Sequence, residues 1–429
     1  MTVYNNGSGG YYGWEKFDKN GSPYEEEQGR GFDYVGYIRL LETKTIMHRL
    51  KTIMHRLKTV IGNEEVVDDF YPSDFTMMNI GNVADKGFDV NGNNYKCFNQ
   101  VLQWSADDYL NNNQPLIYKH LYVGWDDFPI CGTCFKYQDI VFDKDKYPNF
   151  KSSYGGTFNL QLQPDPKKQL SGQIAFFRKY VENSTELSAA LAIGGSAILN
   201  GYISENIHTS NIIVHYVGTS SSGKTTAAQV SASVACCPTL LSNSYFTSWN
   251  STKNGILAKL KANRGFPVVF DELSEYQGRD ISSLIYEMAE GKDKTRCEKT
   301  GNVKPITKYD CWATTIISTG ETSLFDKCSS NSGLDARILE LNCRFTKSAQ
   351  EADEIKGQVT QYYGYTATRF AYYLLNMDKK EIIDIHSNYT KQYASKSTAK
   401  GLEARIHDCL QYRIADTASC KVFPCNFSC

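Results

Sequence analysis

The sequence has no uninterrupted apolar run long enough to span a membrane and no excess of charge of either sign. Its most apolar window, residues 187–203, contains Gly, Ser and Asn, which favours a buried helix over a membrane span. The 46 Lys and Arg against 47 Asp and Glu give a formal net charge of -1. Without a global basic field, any contact with nucleic acid has to come from a local basic patch.

Neither a secretion signal nor a disulfide framework is evident. The first residues are polar and rich in glycine, unlike the apolar core of a signal peptide. The 13 cysteines are odd in number and scattered, which favours reduced thiols. Cys131 and Cys134 have the spacing of half a zinc site, but a second pair is missing, and two unligated thiols in a turn are the alternative. These patterns predict a soluble, cytoplasmic protein and give no basis for predicting zinc.

The sequence is organised around a glycine-rich loop. Residues 218–225 match G-x-x-x-x-G-K-[ST], follow an apolar, β-branched run at 211–217, and lead into an alanine-rich segment without Gly or Pro. A strand, a glycine loop and a helix start in this order direct backbone N–H groups at an anion, as P-loops do for nucleotide phosphates. A chance Gly/Ser loop is the alternative. The residues predicted to hold ATP are Gly218, Ser222, Gly223, Lys224, Thr225 and Thr226, with the Thr225 hydroxyl on Mg²⁺.

A second apolar segment, residues 267–270, ends in Asp271 and Glu272, which is the Walker B arrangement. We expect Asp271 to hold Mg²⁺ directly or through water, and Glu272 to orient the attacking water or accept its proton. An acidic strand end exposed to solvent is the alternative. A Glu directly after the Asp is common in ATP-hydrolysing motors and is not needed for binding alone, so the pair favours hydrolysis.

A basic stretch follows at residues 291–308, with a local charge of +4 and a plausible turn at Gly301-Asn302. A basic hairpin can follow a phosphate backbone, and a solvated charged loop is an equal alternative. The candidate DNA-binding residues are Lys294, Arg296, Lys299 and Lys304.

Two further candidates lie on the strands that come next. The apolar run at 312–321 ends in polar residues, and such an end of a parallel strand faces the nucleotide. Ser318 or Thr319 could touch the γ-phosphate or the water, and Thr319 is the catalytic candidate; hydroxyls that cap the next element are the alternative. Arg337, before another apolar run, suits an arginine finger that acts on a neighbouring subunit, with a surface arginine as the alternative.

The region before residue 170 carries weaker signals. Residues 1–40 are rich in Gly, Asn and Tyr without a clear apolar period, which predicts a flexible segment. An exact tandem repeat, residues 44–50 and 51–57, places its Ile and Leu residues on one face of a basic helix. This helix either contacts nucleic acid or a partner helix, or the repeat is a short duplication that merely lengthens a surface helix. Residues 60–165 have short β-like runs that predict a β-containing accessory domain.

Taken in order, the motifs resemble those of one known group. Residues 218–226, 249–252, 271–273, 285–292, 317–321 and 333–337 are similar to the AAA+ helicase-like proteins of phages and mobile genetic elements, grouped as domain-of-unknown-function family 927. That group is in turn similar to the minichromosome-maintenance replicative helicases. The resemblance covers about 170–375, including residues 362–364 and 370 in the following helical part.

The resemblance implies a hexameric ATPase that threads single-stranded DNA through its central pore. Residues 291–308 would correspond to the hairpin that grips DNA, and Arg337 to the arginine finger. Residues 318–319 would stand where related ATPases carry a polar sensor residue, commonly Asn, so this chain departs from the pattern there. It also departs in having no primase signature near its start and a short region after the core.

These arguments predict an α/β protein with an AAA+ type P-loop core of parallel strands, a helical lid and an N-terminal accessory domain. The predicted boundaries are a flexible segment at 1–40, an accessory domain at 41–165, the ATPase core at 170–345 and a truncated helical lid at 346–429. The predicted function is an ATP-dependent DNA helicase or translocase of a phage or mobile element. An inactivated derivative that binds DNA or acts as a scaffold, and a small-molecule kinase, are the alternatives.

Overall fold

The computed structural model of the protein describes residues 2–40, 53–128, 132–137, 140–142, 150–156, 158–160, 163, 165–207, 210–240, 243–294, 306–329, 333–335 and 337–394. The chain separates into two units. The first, here the amino-terminal unit, comprises Met1–His120 and Lys146–Gly155. The second comprises Leu121–Asp145 and Gly156–Cys429 and is here called the P-loop unit, after the loop that the sequence predicts at 218–225.

The secondary structure mixes strands and helices. The strands are β1 Thr2–Asn5, β2 Tyr11–Phe17, β3 Pro23–Arg30, β4 Asp33–Leu40, β5 Ile53–Ile61, β6 Glu64–Phe70, β7 Leu116–His120, β8 Val123–Phe128, β9 Gly132–Tyr137, β10 Ile140–Phe142, β11 Phe150–Tyr154, β12 Ile213–Val217, β13 Phe246–Ser248, β14 Asn263–Arg264, β15 Val268–Asp271, β16 Trp312–Ala313, β17 Ile316–Gly320 and β18 Ile338–Asn342. The helices are α1 Ile80–Ala84, α2 Tyr95–Asn111, α3 Pro166–Phe176, α4 Thr185–Ile207, α5 Lys224–Ser233, α6 Lys253–Leu260, α7 Ser282–Glu290, α8 Ala349–Gln361, α9 Tyr365–Leu375 and α10 Lys379–Ala394.

Residues 2–40 form four strands, so the prediction of a flexible segment is wrong. β1, β2 and β3 make an antiparallel sheet, and β4 joins a five-stranded sheet of order β11-β7-β4-β5-β6. Tyr12 and Phe32 are almost completely buried, and both rings pack on Phe98 of α2 at centroid distances of 5.6 and 4.6 Å. The Gly- and Tyr-rich composition hides this signal because the aromatic core residues are scattered among turn residues.

The helix predicted over the tandem repeat is also wrong where the structure describes it. Residues 53–57 begin β5, which pairs antiparallel with both β4 and β6, while residues 44–52 lie outside the described residues. The cause is charge complementarity across strands. Arg56 donates to both carboxylate oxygens of Asp69 on β6, at 2.7 and 3.0 Å, and Lys58 pairs with Glu65. Such cross-strand pairs stabilise a sheet, and they outweigh a helical spacing of four apolar residues.

The P-loop unit contains a parallel sheet and a mixed sheet, which confirms the predicted α/β class with parallel strands. The parallel sheet has the order β13-β15-β17-β12-β18, and all of its pairings are parallel. The second sheet has the order β10-β9-β8-β14-β16. The sequence analysis assigned β8, β9 and β10 to the accessory domain, but β8 pairs with β14 in the P-loop unit.

α4 is the one helix among the described residues that is long and apolar enough to cross a membrane by length and composition, and 83% of its most apolar window is buried inside the protein. The glycines that interrupt this window serve packing. A Cβ on Gly194 would lie 2.1 Å from the carbonyl oxygen of Ser231 in α5, so only glycine allows the two helices to approach this closely. α4 therefore forms the core support of the helix that begins at the P-loop.

The region after β18 is helical, and it is attached to the far end of α5. The Gly364 and Ala367 N–H groups at the start of α9 donate to the carbonyl oxygens of Ser233 and Val234, at 2.8 and 2.9 Å. The buried Gln173 side chain of α3 joins the same place, because it donates to Ser233 O and accepts from the Thr366 N–H. Three helices thus meet where the P-loop helix ends.

Candidate functional site

The glycine-rich loop joins the last residue of β12 to the first residue of α5, as the sequence predicts. Gly223 has φ +86° and Gly218 has φ +156°. A Cβ on Gly223 would lie 2.6 Å from Thr346 Oγ1 and 3.0 Å from Thr346 N, so glycine is required there both for its backbone angle and for space. The Phe345 N–H donates to Ser222 O at 2.8 Å and holds the loop from the side of the following segment.

The loop presents unsatisfied polar groups, which is the condition for holding an anion. The first N–H groups of α5 have no partner within the helix, and its N-cap residue provides no side-chain cap. Among the described residues, Ser222 Oγ is buried without a hydrogen-bond partner. A phosphate would accept from these donors and would face the positive end of the helix dipole. The residues present therefore fit a nucleotide phosphate.

Lys224 lies in the loop rather than in solvent. The residue is 8% exposed, and its Nζ donates to the carbonyl oxygens of Gly218 and Thr219 at 2.9 and 2.8 Å. These carbonyls hold the ammonium within the curve of the loop. A phosphate group placed there would be a stronger, charge-assisted acceptor than either carbonyl.

Three predicted site residues from three elements meet at one carboxylate oxygen. Thr225 Oγ1 at the start of α5 donates to Asp271 Oδ1 at 3.1 Å, and Thr319 Oγ1 of β17 donates to the same atom at 2.6 Å. Burial raises the pKa of Asp271, and the two hydroxyl hydrogen bonds oppose this shift. A divalent cation beside this oxygen would favour the ionised carboxylate. Asp271 and Thr225 thus have the chemistry to bind Mg²⁺ together with phosphates.

Among the described residues no group of three or more His, Cys, Asp or Glu could hold a metal ion by itself. A P-loop magnesium site does not need such a group, because one hydroxyl, one carboxylate and phosphate oxygens supply the ligands. Of the cysteine pair considered above, Cys134 is buried in β9, and Cys131 lies outside the described residues.

Glu272 adopts an unusual backbone conformation directly beside this carboxylate. Its φ is +60° and its ψ is 81°, values that a side chain with a Cβ rarely adopts. The Glu272 N–H donates to Thr319 Oγ1 at 2.9 Å, and Glu272 Oε1 accepts from Ser274 Oγ at 2.7 Å. Thr319 therefore bridges Asp271 and Glu272, and both acidic residues share one hydroxyl.

The structure separates the two hydroxyl candidates on β17. Thr319 points to Asp271, whereas Ser318 is fully buried and bonds to His215 and Trp249. Strand alternation explains the difference, since neighbouring residues face opposite sides of the sheet. Sequence reasoning missed His215, and it named Trp249 only as part of the motif at 249–252, without a role. The signal for His215 was a single imidazole within an otherwise apolar run at 211–217.

Arg337 lies away from the P-loop of its own chain. It precedes the first residue of β18, while the P-loop follows the last residue of β12, and these two strands are parallel neighbours. The guanidinium of Arg337 lies 4.5 Å from the Tyr286 ring centroid and donates to Gly333 O at 2.6 Å. Arg337 thus lies at the amino-terminal end of the parallel strands, whereas Lys224 and Asp271 lie at their carboxyl-terminal end.

The basic stretch is described at its two ends. Residues 291–294 and 306–312 run antiparallel, joined by a Lys292–Cys311 bridge and by hydrogen bonds from Trp312 N to Gly291 O and from Asp293 N to Asp310 O. Lys294 is exposed and pairs with Glu287 at 2.9 Å. The other three candidate DNA-binding residues, Arg296, Lys299 and Lys304, lie outside the described residues.

A buried ion cluster holds one end of this stretch. Lys136 is 0% exposed, and its Nζ lies 2.6 Å from Asp126 Oδ2, while Lys308 reaches Asp126 Oδ1 at 3.0 Å. The Lys136 ammonium also lies 3.7 Å from the Tyr122 ring centroid. The foot of the basic stretch is therefore fixed to the β8–β9 hairpin.

Removing Asp126 should strongly destabilise the P-loop unit. Asp126→Ala leaves the Lys136 charge buried without its carboxylate, for which we expect a loss of about 3–5 kcal/mol in the free energy of unfolding. Asp127→Ala is the control, because Asp127 is exposed and accepts only from Thr133 Oγ1 among the described hydrogen bonds. Denaturant unfolding measures the stability of both variants. If Asp126→Ala lost as little unfolding free energy as Asp127→Ala, the stabilising role of the buried Asp126–Lys136 pair would be contradicted.

The fold and the family are supported by comparison with known proteins. Residues 69–308 match the profile of a family described as "Domain of unknown function (DUF927)". No curated protein sequence matches the chain. Among solved structures, the chain is similar to one described as "SCCmec type IV Cch - active helicase", with a TM-score of 0.75 at 24% sequence identity over 97% of this chain and 74% of that chain.

At that identity the structural likeness shows a shared fold. The family match begins at residue 69, well before residue 170 where the sequence motifs placed its start, so it includes strands that the motifs had left to the accessory domain. It covers more than half of the 429-residue chain and confirms the family that the ordered motifs indicate. The chain belongs to the DUF927 family.

Proposed function

We propose that this protein is an ATP-dependent DNA helicase or translocase of a phage or mobile genetic element, acting in the cytoplasm of a bacterial host. The observation that carries the proposal is the meeting of Thr225, Asp271 and Thr319 at one oxygen beside the P-loop. A hydroxyl from the helix start and a carboxylate from a strand end are the magnesium ligands of P-loop NTPases, and the hydroxyl of the next strand adds a polar group beside them.

Each residue has a defined task in this proposal. The N–H groups of the loop, together with Ser222 and Lys224, bind the ATP phosphates, and Thr225 and Asp271 hold the magnesium ion. Bound Mg²⁺ supplies charge neutralisation at the phosphates. Glu272 orients the attacking water and accepts its proton, and Thr319 fixes Glu272 relative to Asp271 through the hydrogen bonds described above.

The assignment to DNA rests on the basic stretch and on the shared fold. Residues 291–308 carry a local charge of +4, and their two described ends run antiparallel as in a hairpin. Lys294, Arg296, Lys299 and Lys304 would follow the phosphate backbone of a single strand. A solved structure with this fold is described as an active helicase from an SCCmec element, which supports the same assignment here.

The position of Arg337 supports a ring-shaped assembly. Because it lies at the opposite end of the parallel strands from the P-loop, it is far from its own nucleotide site and would act on that of a neighbouring subunit. We propose a homo-oligomer of the AAA+ type, a hexamer by similarity to the minichromosome-maintenance helicases. Each subunit would then supply Arg337 to the ATP bound by the next.

Turnover should depend on both protein concentration and DNA. If subunits complete one another's sites, the specific ATPase activity rises with protein concentration, because assembly precedes catalysis. Single-stranded DNA should raise it further by engaging the basic stretch. Phosphate release measured across a concentration series, with and without an oligonucleotide, tests both effects.

The other outcomes of that measurement are equally informative. Turnover that is flat with concentration and indifferent to DNA would contradict the ring and the DNA substrate. ATP binding without any turnover would identify an inactivated, nucleotide-binding derivative. A phosphorylated small-molecule product in place of free phosphate would establish a kinase.

A further inference from the structure

Three polar side chains that the proposed function does not use form one buried hydrogen-bond network beneath the site. His215 of β12, Ser318 of β17 and Trp249, which follows β13, are each 0% exposed. Ser318 Oγ lies 2.8 Å from His215 Nδ1 and 3.0 Å from Trp249 Nε1. His215 Nε2 lies 3.0 Å from the carbonyl oxygen of Thr322. The network thus crosses from β12 over β17 and β15 to the end of β13.

The chemistry of the partners fixes the direction of every bond. A carbonyl oxygen only accepts, so His215 Nε2 carries a proton and donates to Thr322. Burial lowers the pKa of His215, so the ring is neutral and its Nδ1 accepts. The indole of Trp249 only donates. Ser318 therefore accepts from Trp249 and donates to His215. Each polar side-chain atom of this network has a hydrogen-bond partner.

This hydrogen-bond network reaches the proposed catalytic residues from two sides. The backbone N–H of Trp249 donates to the carbonyl oxygen of Asp271 at 3.0 Å, so the indole anchor also holds the end of β15. Ser318 is followed directly by Thr319, whose hydroxyl joins Asp271 to the Glu272 N–H. Rotation or displacement of either anchor would move the shared oxygen of Asp271 relative to Thr225.

We propose that His215 is a positioning residue for the nucleotide site, acting through Ser318 and Trp249 to fix the Asp271 carboxylate and the Thr319 hydroxyl. This inference rests on the proposed function. In this proposal His215 does not contact the substrate. It fixes the positions of the Asp271 carboxylate, which holds the metal, and of the Glu272 backbone, whose side chain orients the water. Residues that orient metal ligands in this way typically change metal affinity or activity about 10–100-fold when they are replaced.

The two halves of the imidazole can be tested separately. In His215→Asn the amide oxygen lies near the place of Nδ1 and can still accept from Ser318. In His215→Gln the amide nitrogen lies near the place of Nε2 and can still donate to Thr322, but the acceptor for Ser318 is lost. Ser318→Ala removes the central hydroxyl with a minimal change of volume and serves if the histidine variants fold poorly.

Tyr216→Phe is the matched control. Tyr216 is the next residue on β12, it is equally buried, and its hydroxyl bonds to Ser231 Oγ at 2.9 Å on the other face of the sheet. It removes a buried hydrogen bond from the same strand without touching Ser318. Any effect common to Tyr216→Phe and the histidine variants is therefore structural.

The quantities to compare are kcat and KM for ATP, the Mg²⁺ dependence of binding of a fluorescent ATP analogue, and the thermal unfolding midpoint. His215→Asn should keep kcat within about threefold of the wild type, whereas His215→Gln and Ser318→Ala should lose about tenfold or more with KM little changed. Both of the latter should require more Mg²⁺ for nucleotide binding. Tyr216→Phe should shift the unfolding midpoint alone.

Equal losses in His215→Asn and His215→Gln, in proportion to lost stability, would overturn the inference and leave a merely structural network. A wild type that hydrolyses no ATP would refute the proposed function instead. In that case the Mg²⁺ dependence of nucleotide binding still decides the inference, because it reports on Asp271 and Thr225 without turnover. A wild type that binds no nucleotide would refute both.

Discussion

Replacement of Glu272 by Gln should abolish ATP turnover while ATP binding is retained. The variant keeps the volume of the side chain and an oxygen that can accept from Ser274 Oγ, and the backbone hydrogen bond to Thr319 is unaffected. It removes the negative charge and, with it, the ability to take a proton from water. Loss of a general base costs about 10²–10⁴ in rate.

Glu275→Gln is the matched control for that experiment. Glu275 is an exposed carboxylate three residues further on, and like Glu272 it raises the pKa of Asp271 through its charge. The Glu275→Gln variant should turn over ATP at nearly the wild-type rate. This result would separate the proton-transfer role of Glu272 from the simple loss of a negative charge. Phosphate release and binding of a fluorescent ATP analogue measure the two properties. Sustained turnover in Glu272→Gln would refute the assigned base.

The second large effect is expected at Arg337 and should be restored by mixing. Five residue steps along β18 separate Arg337 from Asn342, which pairs with the last β12 residue before the P-loop, about 17 Å at 3.3 Å per residue. An arginine finger contributes about 10³–10⁵ to the rate, so Arg337→Ala should lose turnover on that scale while its own P-loop still binds ATP. Arg337→Lys should recover little, because the planar fork is lost.

The mixing experiment uses two inactive variants with complementary defects. Lys224→Ala subunits have no competent P-loop but present Arg337, and Arg337→Ala subunits have the opposite defect. Mixed assemblies contain interfaces with one intact copy of each residue, so activity should reappear when the two are combined and should be absent from either alone. Failure to recover in mixed assemblies shown to form would contradict action between subunits.

The sequence predicted the part of the site that lies close together along the chain. The P-loop is a local motif, and its glycines, Lys224 and helix start appear where the sequence placed them. The acidic strand end could be predicted because its apolar run and its two carboxylates are contiguous. The meeting of Asp271 with Thr225 and Thr319 follows once β15, β17 and β12 are neighbours in a parallel sheet.

The rest depended on contacts between distant segments. Ser318 and Thr319 are equivalent in the sequence, and only the packing of Trp249 and His215 on one of them distinguishes their faces. β8 to β10 were assigned to the wrong side of a boundary because a strand does not reveal its partner, here β14. The start of β5 was taken as a helix because its acidic partners on β6 lie beyond a turn.

That strand has a consequence for folding. β5 begins in the second copy of an exact duplication, and residues 46–54 repeat its first seven residues and keep apolar residues at the last two positions. The amino-terminal unit therefore contains two nearly interchangeable sequences for one position in its sheet, and a slip of seven residues would present almost the same side chains to both neighbours. The tight turn decides between them. Gly62, at φ +62°, and Asn63 alone connect Ile61 to Glu64, and a slipped strand would replace this two-residue turn with a longer loop.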